Sequence, residues 1–374
     1  MEDHGAEDQV SARTEEKEEA RREIVATEVE VSCHPIHGDG DGPELTGFFS
    51  SGHSCDYIDA SASHGARLFV FGGHVGRYAG RDDGAVRTNQ LLVLHNAHTL
   101  GADEASGDGT SPTWEKVSLG KVKGRAGHAS FVRNGKLYIH GGYDTGHRVL
   151  SDLIEIDPSS SSYEYRSVPY ESVVQNVERR WHCSYHINNK LILHGGWNSF
   201  GALNSLVSLD LDTMKWDTLA WENGPSPRRW HTLSPIPGHP ERLFSYGGYD
   251  APKHPLNDSF ILDLGAQQWV EPVMRGDIPG PLCRHTLTTL PGQSLKQMIL
   301  IGGSKNDGGT NKEIRILHTD DMRWELVKDA GHLFPVIRRG HLATPVADRG
   351  IIISGGFAAE YITPFYWLDA RMLR

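Results

Sequence analysis

Two copies of the tetrapeptide Arg-Arg-Trp-His stand out in the 374-residue sequence, at Arg179–His182 and Arg228–His231. The guanidinium of arginine binds a carboxylate through two parallel hydrogen bonds, and indole rings supply flat contact surfaces that dominate many binding sites. These residue types therefore favour recognition of an acidic group. Further arginines lie one to three residues before other histidines: Arg125, Arg284, Arg338 and Arg339.

A second set of aromatic residues follows pairs of glycine. Each occupies the first position after a Gly-Gly pair: Tyr143, Trp197, Tyr249 and Phe357. After the first pair of the chain the sequence instead adds arginines: Arg77, Arg81 and Arg87. If folding brings the two sets together, the chain has an arginine- and aromatic-rich binding surface.

Sequence patterns for catalysis are absent. The chain contains no G-x-S-x-G, P-loop, H-E-x-x-H or dinucleotide-binding pattern. Cys33, His34 and His37 are three loosely spaced ligands beside a glycine-rich stretch, which does not define a zinc site. We therefore expect a noncatalytic protein with no metal and no cofactor.

Internal repetition is the clearest structural signal. A Gly-Gly pair follows a short apolar run six times, and the gaps between pairs are 69, 54, 52, 55 and 53 residues. A histidine opens an extended run before each pair: His53, His128, His182, His231, His285 and His341. An alternating run and then an aromatic residue follow most pairs: Trp114, Tyr163 or Tyr165, Trp216, Trp269 and Trp324. Each unit therefore predicts four short strands, which radial stacking would bury.

The double glycine, the Arg-x-x-His sequence, the downstream tryptophan and the period near 50 residues resemble the kelch repeat. The resemblance covers about residues 50–374 and implies an all-β, six-bladed kelch-type β-propeller, with the repeated histidines forming hydrogen bonds between blades. The expected blades are about residues 50–120, 124–170, 178–222, 227–273, 281–328 and 337–374.

The sixth unit ends before a fourth strand. The alternating segment Val25–Cys33 is a spare strand that can complete this blade and close the ring, as kelch-type propellers commonly do. An open or frayed last blade is the alternative. Residues 1–23 are expected to be an acidic tail, either disordered or a solvated helix.

In such a blade the start of the first strand and the end of the second lie on one face. We therefore predict a partner-binding mouth on that face, formed by ten residues: Arg125, Arg180, Trp181, Trp197, Arg229, Trp230, Tyr249, Arg284, Arg339 and Phe357. The alternative is that the arginines pair within the protein, with acidic neighbours such as Glu178, Asp250 or Asp258.

Composition narrows the possible partners. The formal net charge is −11, of which residues 1–30 carry −7, so nonspecific binding to nucleic acid is not expected. No apolar run is long enough for a transmembrane helix, and the acidic N-terminus does not resemble a secretory signal. Four scattered cysteines suit a reducing compartment, which predicts a cytoplasmic protein, with association with the cytoskeleton as the alternative.

Three functions fit these expectations. The leading one is a protein–protein interaction scaffold or adaptor that binds a partner protein or acidic peptide, as a monomer within a heteromeric complex. One alternative is a structural subunit of a cytoskeletal or axonemal assembly. The other is a ubiquitin-ligase substrate receptor that binds C-terminal peptides, although the sequence shows no segment suited to binding a ligase.

Overall fold

The computed structural model describes residues 26–28, 51–59, 65–75, 86–100, 112–160, 162–250, 254–291, 296–327, 338–357 and 365–369. These residues form six sheets, each built around four antiparallel strands in the order a-b-c-d. The only helical element in the described ranges is a single 3-10 turn, Ala97–Thr99, and nothing helical there could cross a bilayer.

The strands of each sheet follow one another along the chain. Strands a are His53–Ile58, Ala129–Arg133, Cys183–Ile187, Thr232–Ile236, Thr286–Thr289 and Leu342–Val346. Strands b are Arg67–Gly72, Lys136–His140, Lys190–His194, His239–Asp250, Gln297–Ile301 and Gly350–Ser354. Strands c are Gln90–His95, Leu153–Asp157, Leu206–Asp210, Pro255–Asp263, Arg315–His318 and Tyr366–Asp369. Strands d are Thr113–Ser118, Glu164–Val168, Lys215–Thr218, Gln268–Val270, Arg323–Leu326 and, for the sixth sheet, Ala26–Glu28.

The six sheets are the blades of a closed propeller. Each strand a contacts strand a of the next sheet, and the strand a of the sixth sheet contacts that of the first. Ala26–Glu28 pairs antiparallel with Tyr366–Asp369, with Ala26 opposite Leu368. The predicted all-β fold and its closure by an N-terminal strand are therefore confirmed. The rest of the predicted Val25–Cys33 strand and the acidic tail lie outside the described residues.

Eight short strands supplement the blades in the described ranges. Four of them form two small antiparallel ribbons: His74–Val75 pairs with Val86–Arg87, and Trp197–Asn198 pairs with Gly201–Ala202. Others pair the start of a blade with the end of its strand b: Arg125–Ala126 with Tyr143–Asp144, and Arg228–Arg229 with the end of His239–Asp250. Arg275–Gly276 runs parallel to Arg323–Leu326 on the outer edge of the fifth blade.

The repeated aromatic residue of strand d packs between blades. Trp324 is 1% exposed and shares a core cluster with Phe244 and Tyr246 of the preceding blade. In the second blade the register position of this tryptophan is Tyr165, which is 38% exposed. Tyr163, just before the strand, is buried between the blades instead and donates a hydrogen bond to Glu115 Oε2 at 2.6 Å. Apolar packing between neighbouring sheets therefore stabilises the ring.

The double glycine is required where strand b ends. In the fifth blade Gly302 and Gly303 have φ angles of 62° and 101°. A Cβ on Gly303 would lie 2.7 Å from Cβ of His285, and one on Gly302 would lie 2.4 Å from the carbonyl oxygen of Arg338. Both the backbone conformation and the close approach of the next blade therefore exclude larger residues.

Four of the repeated histidines form the predicted links between blades, and the longest of these links joins His285 Nε2 to Thr232 Oγ1 at 3.4 Å. His53 Nε2 lies 3.0 Å from Ser354 Oγ, and His341 Nε2 lies 2.9 Å from Thr286 Oγ1. His231 Nε2 lies 2.9 Å from His194 Nδ1. Burial lowers the pKa of His53 to about 4. The repeated histidines are thus neutral structural residues.

Asp56 gives the fold a pH dependence that can be measured. Ser130 Oγ of the second blade donates a hydrogen bond to Asp56 Oδ2 at 2.5 Å, and loss of hydration raises the pKa of this carboxyl to about 7. Because the unfolded chain holds the proton less tightly, this stabilising contribution is complete below about pH 4 and is lost as the pH rises through 7.

We therefore expect Asp56→Asn to unfold like the wild type near pH 4 and to be more stable by about 2 kcal/mol near pH 8. Urea denaturation at the two pH values measures the difference. Equal differences at both values would show that Asp56 is ionised in the folded protein.

Candidate functional site

The ends of strands b and the starts of strands a meet on one face of the propeller, as predicted. Arg180 N donates to the carbonyl oxygen of Trp197 at 3.0 Å, and Trp197 N donates back to that of Arg180 at 2.8 Å. Equivalent residues pair in four other blades: Ala126 with Tyr143, Arg229 with Tyr249, Cys283 with Ser304, and Arg339 with Phe357. We call this side of the ring the mouth face.

A ring of six residues surrounds the axis on the mouth face. Each directly precedes a repeated histidine, and together they form the inner ring: Gly52, Gly127, Trp181, Trp230, Arg284 and Gly340. Five backbone N–H groups of the ring donate to the carbonyl oxygen of the preceding member at 2.8–3.2 Å. This chain of hydrogen bonds fixes every member relative to its neighbours.

The inner ring demands a left-handed backbone at all six positions, with φ angles between 57° and 73°. Glycine meets this demand without strain at Gly52, Gly127 and Gly340. Trp181, Trp230 and Arg284 hold the same conformation with φ angles of 57°, 57° and 58°, which costs about 1 kcal/mol or more each. Blades three to five therefore hold large side chains at positions where glycine would be unstrained.

Arg229 lies at the centre of an aromatic cluster. Its guanidinium carbon stands above four rings, at the following distances from their centres: Trp230 4.1 Å, Trp197 4.3 Å, Trp181 5.0 Å and Tyr249 5.4 Å. These distances are within the range of cation–π attraction. In the described part of the chain Arg229 forms no ion pair, and its guanidinium donates no hydrogen bond to a protein acceptor.

Two more arginines flank this cluster. The guanidinium carbon of Arg284 lies 3.7 Å from the ring centre of Trp230, and that of Arg180 lies 4.2 Å from the ring centre of Trp181. Burial first, and then the charges of Arg284 and Arg180, lower the pKa of Arg229 to about 10, so it remains protonated at neutral pH. The mouth therefore concentrates positive charge on a rigid aromatic support.

The mouth opens into a cavity of about 350 Å³ on the axis. Arg229, Trp230, Arg284 and Arg339 line it together with several of the repeated histidines. Where the structure describes the chain, no three His, Cys, Asp or Glu side chains converge to hold a metal ion. The charged side chains that line the cavity are three arginines, and no carboxylate lies among its described lining residues.

Of the other predicted residues, Arg339 and Phe357 form a separate pair on the sixth blade. The guanidinium carbon lies 5.0 Å from the ring centre of Phe357, and Nη1 donates to the carbonyl oxygen of Gly308 at 3.2 Å. Both residues line the same cavity as Arg229.

Arg125 is a correction to the predicted site. It is 0% exposed, and its Nη1 and Nη2 donate to Asp152 Oδ1 and Oδ2 at 2.7 and 2.8 Å. Its counterparts Arg179, Arg228 and Arg338 are also buried, and all four donate to the carbonyl oxygen of the first glycine of their blade, at 2.9–3.2 Å. The first arginine of each motif thus uses its donors inside its own blade, and it is too buried for a partner to reach.

The alternative of internal pairing with a carboxylate holds for this first arginine in the second and fourth blades, where Arg125 pairs with Asp152 and Arg228 pairs with Asp258. Asp258 accepts hydrogen bonds at 2.6 and 2.7 Å, but from Arg228 and not from Arg229. In the fifth blade Cys283 occupies the position of the second arginine, and Arg284 occupies that of tryptophan.

The structure adds a group that the predicted site residues omit. Tyr143 lies between two guanidinium groups, 4.6 Å from that of Arg87 and 4.5 Å from that of Arg180. Its hydroxyl lies 2.8 Å from Nε2 of His74. The sequence signal for these two residues was their position. His74 and Tyr143 both directly follow a Gly-Gly pair, as the aromatic residues of the predicted site do.

Comparison with known sequences agrees with this architecture. The KLHDC2/KLHL20/DRC7 Kelch-repeats domain profile matches residues 52–293 and 222–373. The chain is 26% identical over 317 residues to acyl-CoA-binding domain-containing protein 4 of Arabidopsis thaliana, covering 81% of this chain and 44% of that protein. It is 26% identical over 283 residues to putative adagio-like protein 2 of Oryza sativa subsp. japonica, covering 69% of this chain and 43% of that protein.

A human protein is similar over a shorter range. The chain is 26% identical over 271 residues to kelch domain-containing protein 1 of Homo sapiens, covering 64% of each. The chain thus spans less than half the length of the two plant proteins and about two thirds of the human one. The profile match, the six blades and the buried arginine and double glycine of the repeat lead to one conclusion: the chain belongs to the kelch-repeat family of β-propellers.

Proposed function

We propose that this chain is a noncatalytic protein-interaction module whose mouth binds an acidic segment of a partner protein. The observation that carries the proposal is Arg229, a charged guanidinium held among four aromatic rings with no carboxylate partner in the described part of the chain. Side-chain carboxylates and a free C-terminus present the same chemistry to it. Kelch membership is consistent with protein–protein interaction.

Electrostatics supports an acidic ligand. Burial first, and then the charges of Arg284 and Arg180, lower the pKa of Arg229, and a bound carboxylate would relieve this charge repulsion. The aromatic rings hold Arg229 in place, so little side-chain freedom is lost on binding. Arginine and tryptophan at the centre of a surface are also the residues that most often dominate binding energy.

The cavity offers no acid–base group tuned to neutral pH among the repeated histidines. Burial lowers the pKa of His285 to about 3 and that of His53 to about 4, so both stay neutral at physiological pH. A general acid or base works best when its pKa lies near the working pH. These residues support binding rather than catalysis.

We place the module in the cytoplasm, as one member of a heteromeric complex. The described cysteines, Cys55, Cys183 and Cys283, are all free thiols, which suits a reducing compartment. A cytoskeletal subunit or a ubiquitin-ligase substrate receptor would be a special case of the same binding activity, and the nature of the selected ligand distinguishes them.

The experiment begins with short random peptides displayed on phage and selected on the wild-type protein. We expect the selected peptides to be rich in Asp and Glu. A synthetic copy should bind Arg229→Gln at least tenfold more weakly, because a charge-assisted hydrogen bond contributes about 1.5–3 kcal/mol. Fluorescence polarisation measures both affinities.

The control is Arg133→Gln, which changes an arginine on the first strand of the second blade that is paired with Asp212. Its affinity for the peptide should equal that of the wild type. Selection of neutral or basic peptides, or equal binding by Arg229→Gln, would show that the mouth is not a site for acidic groups.

A further inference from the structure

The fifth blade lacks the buried arginine of the repeat. The residue three positions before the repeated histidine is arginine in four blades: Arg125, Arg179, Arg228 and Arg338. It is Ser50 in the first blade, outside the described residues, and Leu282 in the fifth. The backbone is the same, because the carbonyl oxygen of Leu282 accepts from Gly248 N at 2.9 Å, as that of Arg228 accepts from Gly196 N at 2.8 Å. The fifth blade therefore has the place for this arginine without its guanidinium.

The carboxylate that receives this arginine is nevertheless kept. The tenth residue after the Gly-Gly pair is Asp152 in the second blade, Asp258 in the fourth and Glu313 in the fifth. Asp152 and Asp258 each accept two hydrogen bonds from the arginine of their own blade, at 2.6–2.8 Å. Glu313 Oε2 instead accepts one from Arg315 Nη1, at 2.5 Å. Within the described ranges Glu313 Oε1 accepts none, and the side chain is 43% exposed.

A cavity of about 480 Å³ lies between this carboxylate and Leu282. We call it the fifth-blade pocket, and six residues form most of its lining: Gly280, Pro281, Leu282, Asn311, Glu313 and Arg315. Arg315 is held towards the outer strand of the blade, because its Nε donates to the carbonyl oxygen of Asp277 at 2.9 Å. The repeat arginines of four other blades are buried at the corresponding place, so the fold accommodates a guanidinium there.

The fifth-blade pocket adjoins the mouth. Cys283 directly follows Leu282, and Lys305, which also lines the pocket, directly follows Ser304. Cys283 N donates to the carbonyl oxygen of Ser304 at 3.1 Å, and Ser304 N donates back at 2.7 Å. Both residues are small and buried, whereas the third and fourth blades carry arginine and aromatic residues at these positions. A protein segment can therefore pass over the fifth blade between the mouth and the pocket.

We propose that the fifth-blade pocket binds an arginine side chain of a partner protein, which takes the place of the arginine that this blade lacks. The guanidinium donates to Glu313 Oε1, and the apolar stem of the arginine packs against Leu282. The proposal does not rest on the proposed function of the mouth, since the pocket selects a group of the opposite charge.

The chemistry of the pocket favours a guanidinium over other groups. Arginine presents a planar set of donors that can bind a carboxylate and a carbonyl oxygen together, whereas the ammonium of lysine is a single point charge. Lys305 and Asp307 line the pocket with one charge of each sign, as Arg315 and Glu313 do. The lining therefore has no net charge that repels a cation, and an anion in the same place would face the open oxygen of Glu313.

The test is a nuclear magnetic resonance titration of the full-length protein with N-acetyl-arginine amide. The methyl groups of Leu282 report binding, and we expect their signals to shift until the pocket is saturated. N-acetyl-lysine amide should bind more weakly. N-acetyl-citrulline amide, which has nearly the same shape and no charge, should cause no shift. Equal shifts with citrulline, or none with arginine, would refute the proposal.

Glu313→Gln should bind N-acetyl-arginine amide at least tenfold more weakly, because the charge of the acceptor is lost. Glu325→Gln is the matched control. Glu325 lies on strand d of the same blade, and its side chain is 44% exposed, against 43% for Glu313. This control should bind as the wild type does. Equal losses in the two variants would mean that the probe responds to the overall charge of the blade and not to the pocket.

Leu282→Arg supplies the missing guanidinium from the chain itself. We expect this variant to unfold in urea at a concentration at least as high as the wild type does, because the same residue fits this place in four other blades. It should no longer bind N-acetyl-arginine amide, with the backbone amide signals of Lys305 and Asn306 as the readout. Unchanged binding would place the probe elsewhere, and a clearly less stable variant would show that this blade does not accept a guanidinium. Either result would overturn the proposal.

Discussion

Arg228→Met should lower the free energy of unfolding by about 2–3 kcal/mol, because a hydrogen bond to a charged group contributes about 1.5–3 kcal/mol. Arg228 is 0% exposed, and it donates to Asp258 Oδ1 and Oδ2 at 2.6 and 2.7 Å and to the carbonyl oxygen of Gly247 at 2.9 Å. Methionine fills part of the space but leaves the buried carbonyl oxygen of Gly247 without this donor, whereas water can hydrate Asp258, whose side chain is 39% exposed. Urea denaturation at neutral pH measures the loss.

The neighbouring residue gives the matched control. Arg229→Met changes the same residue type one position further along, but Arg229 has no ion pair in the described ranges, so its loss should stay below about 1 kcal/mol. Arg179→Met should fall between the two, since Arg179 donates to the carbonyl oxygens of Gly195, Ser205 and Asn176 and to no carboxylate. Equal losses at Arg228 and Arg229 would contradict the division between a structural and a binding arginine.

The difference between the structural and the binding arginine shows how much of the site could be predicted from the sequence. The spacing of the first arginine from the repeated histidine identified it as a repeat residue, yet Arg125 was still included in the predicted site. Arginine at that spacing is chemically identical to a binding arginine. Only the folded geometry shows that Asp152 and the carbonyl oxygen of Gly141 use its donors.

The fold itself was predictable because its determinants are local and repeated. Six Gly-Gly pairs at nearly constant spacing report tight turns that no other residue permits, and the spare alternating segment at the N-terminus predicted the closure at Ala26–Glu28. Each signal is a short pattern with one physical cause. The order of the blades around the ring is the one feature that depends on contacts between distant residues, and it is simply the order of the repeats along the chain.

The inner ring was not predictable in the same way. Glycine at Gly52, Gly127 and Gly340 hints at a left-handed backbone, but tryptophan at Trp181 and Trp230 argues against it, because bulky residues avoid that conformation. The ring is imposed by hydrogen bonds between successive blades, which lie about 50 residues apart in sequence. The backbone preference of a residue type does not predict its φ angle where tertiary contacts determine that angle.

The left-handed backbone at Trp230 leads to the second prediction with a large expected effect. Trp230→Gly should reduce affinity for the selected acidic peptide about 100-fold, which corresponds to a loss of about 2.7 kcal/mol. Trp230 supports two arginines, with its ring centre 3.7 Å from the guanidinium carbon of Arg284 and 4.1 Å from that of Arg229. Removing the ring releases both guanidinium groups from the geometry that binds a carboxylate. Fluorescence polarisation with the same peptide measures the change.

Stability should hardly change in this variant, and that separates binding from folding. Glycine relieves the strain of the left-handed backbone by about 1 kcal/mol, which offsets the loss of a partly exposed ring. Trp324→Ala provides the contrast, because Trp324 is 1% exposed between blades and its loss should cost about 3–5 kcal/mol. If Trp230→Gly destabilises the protein as much as Trp324→Ala does, Trp230 is a packing residue, and its strained backbone serves the propeller rather than the ligand.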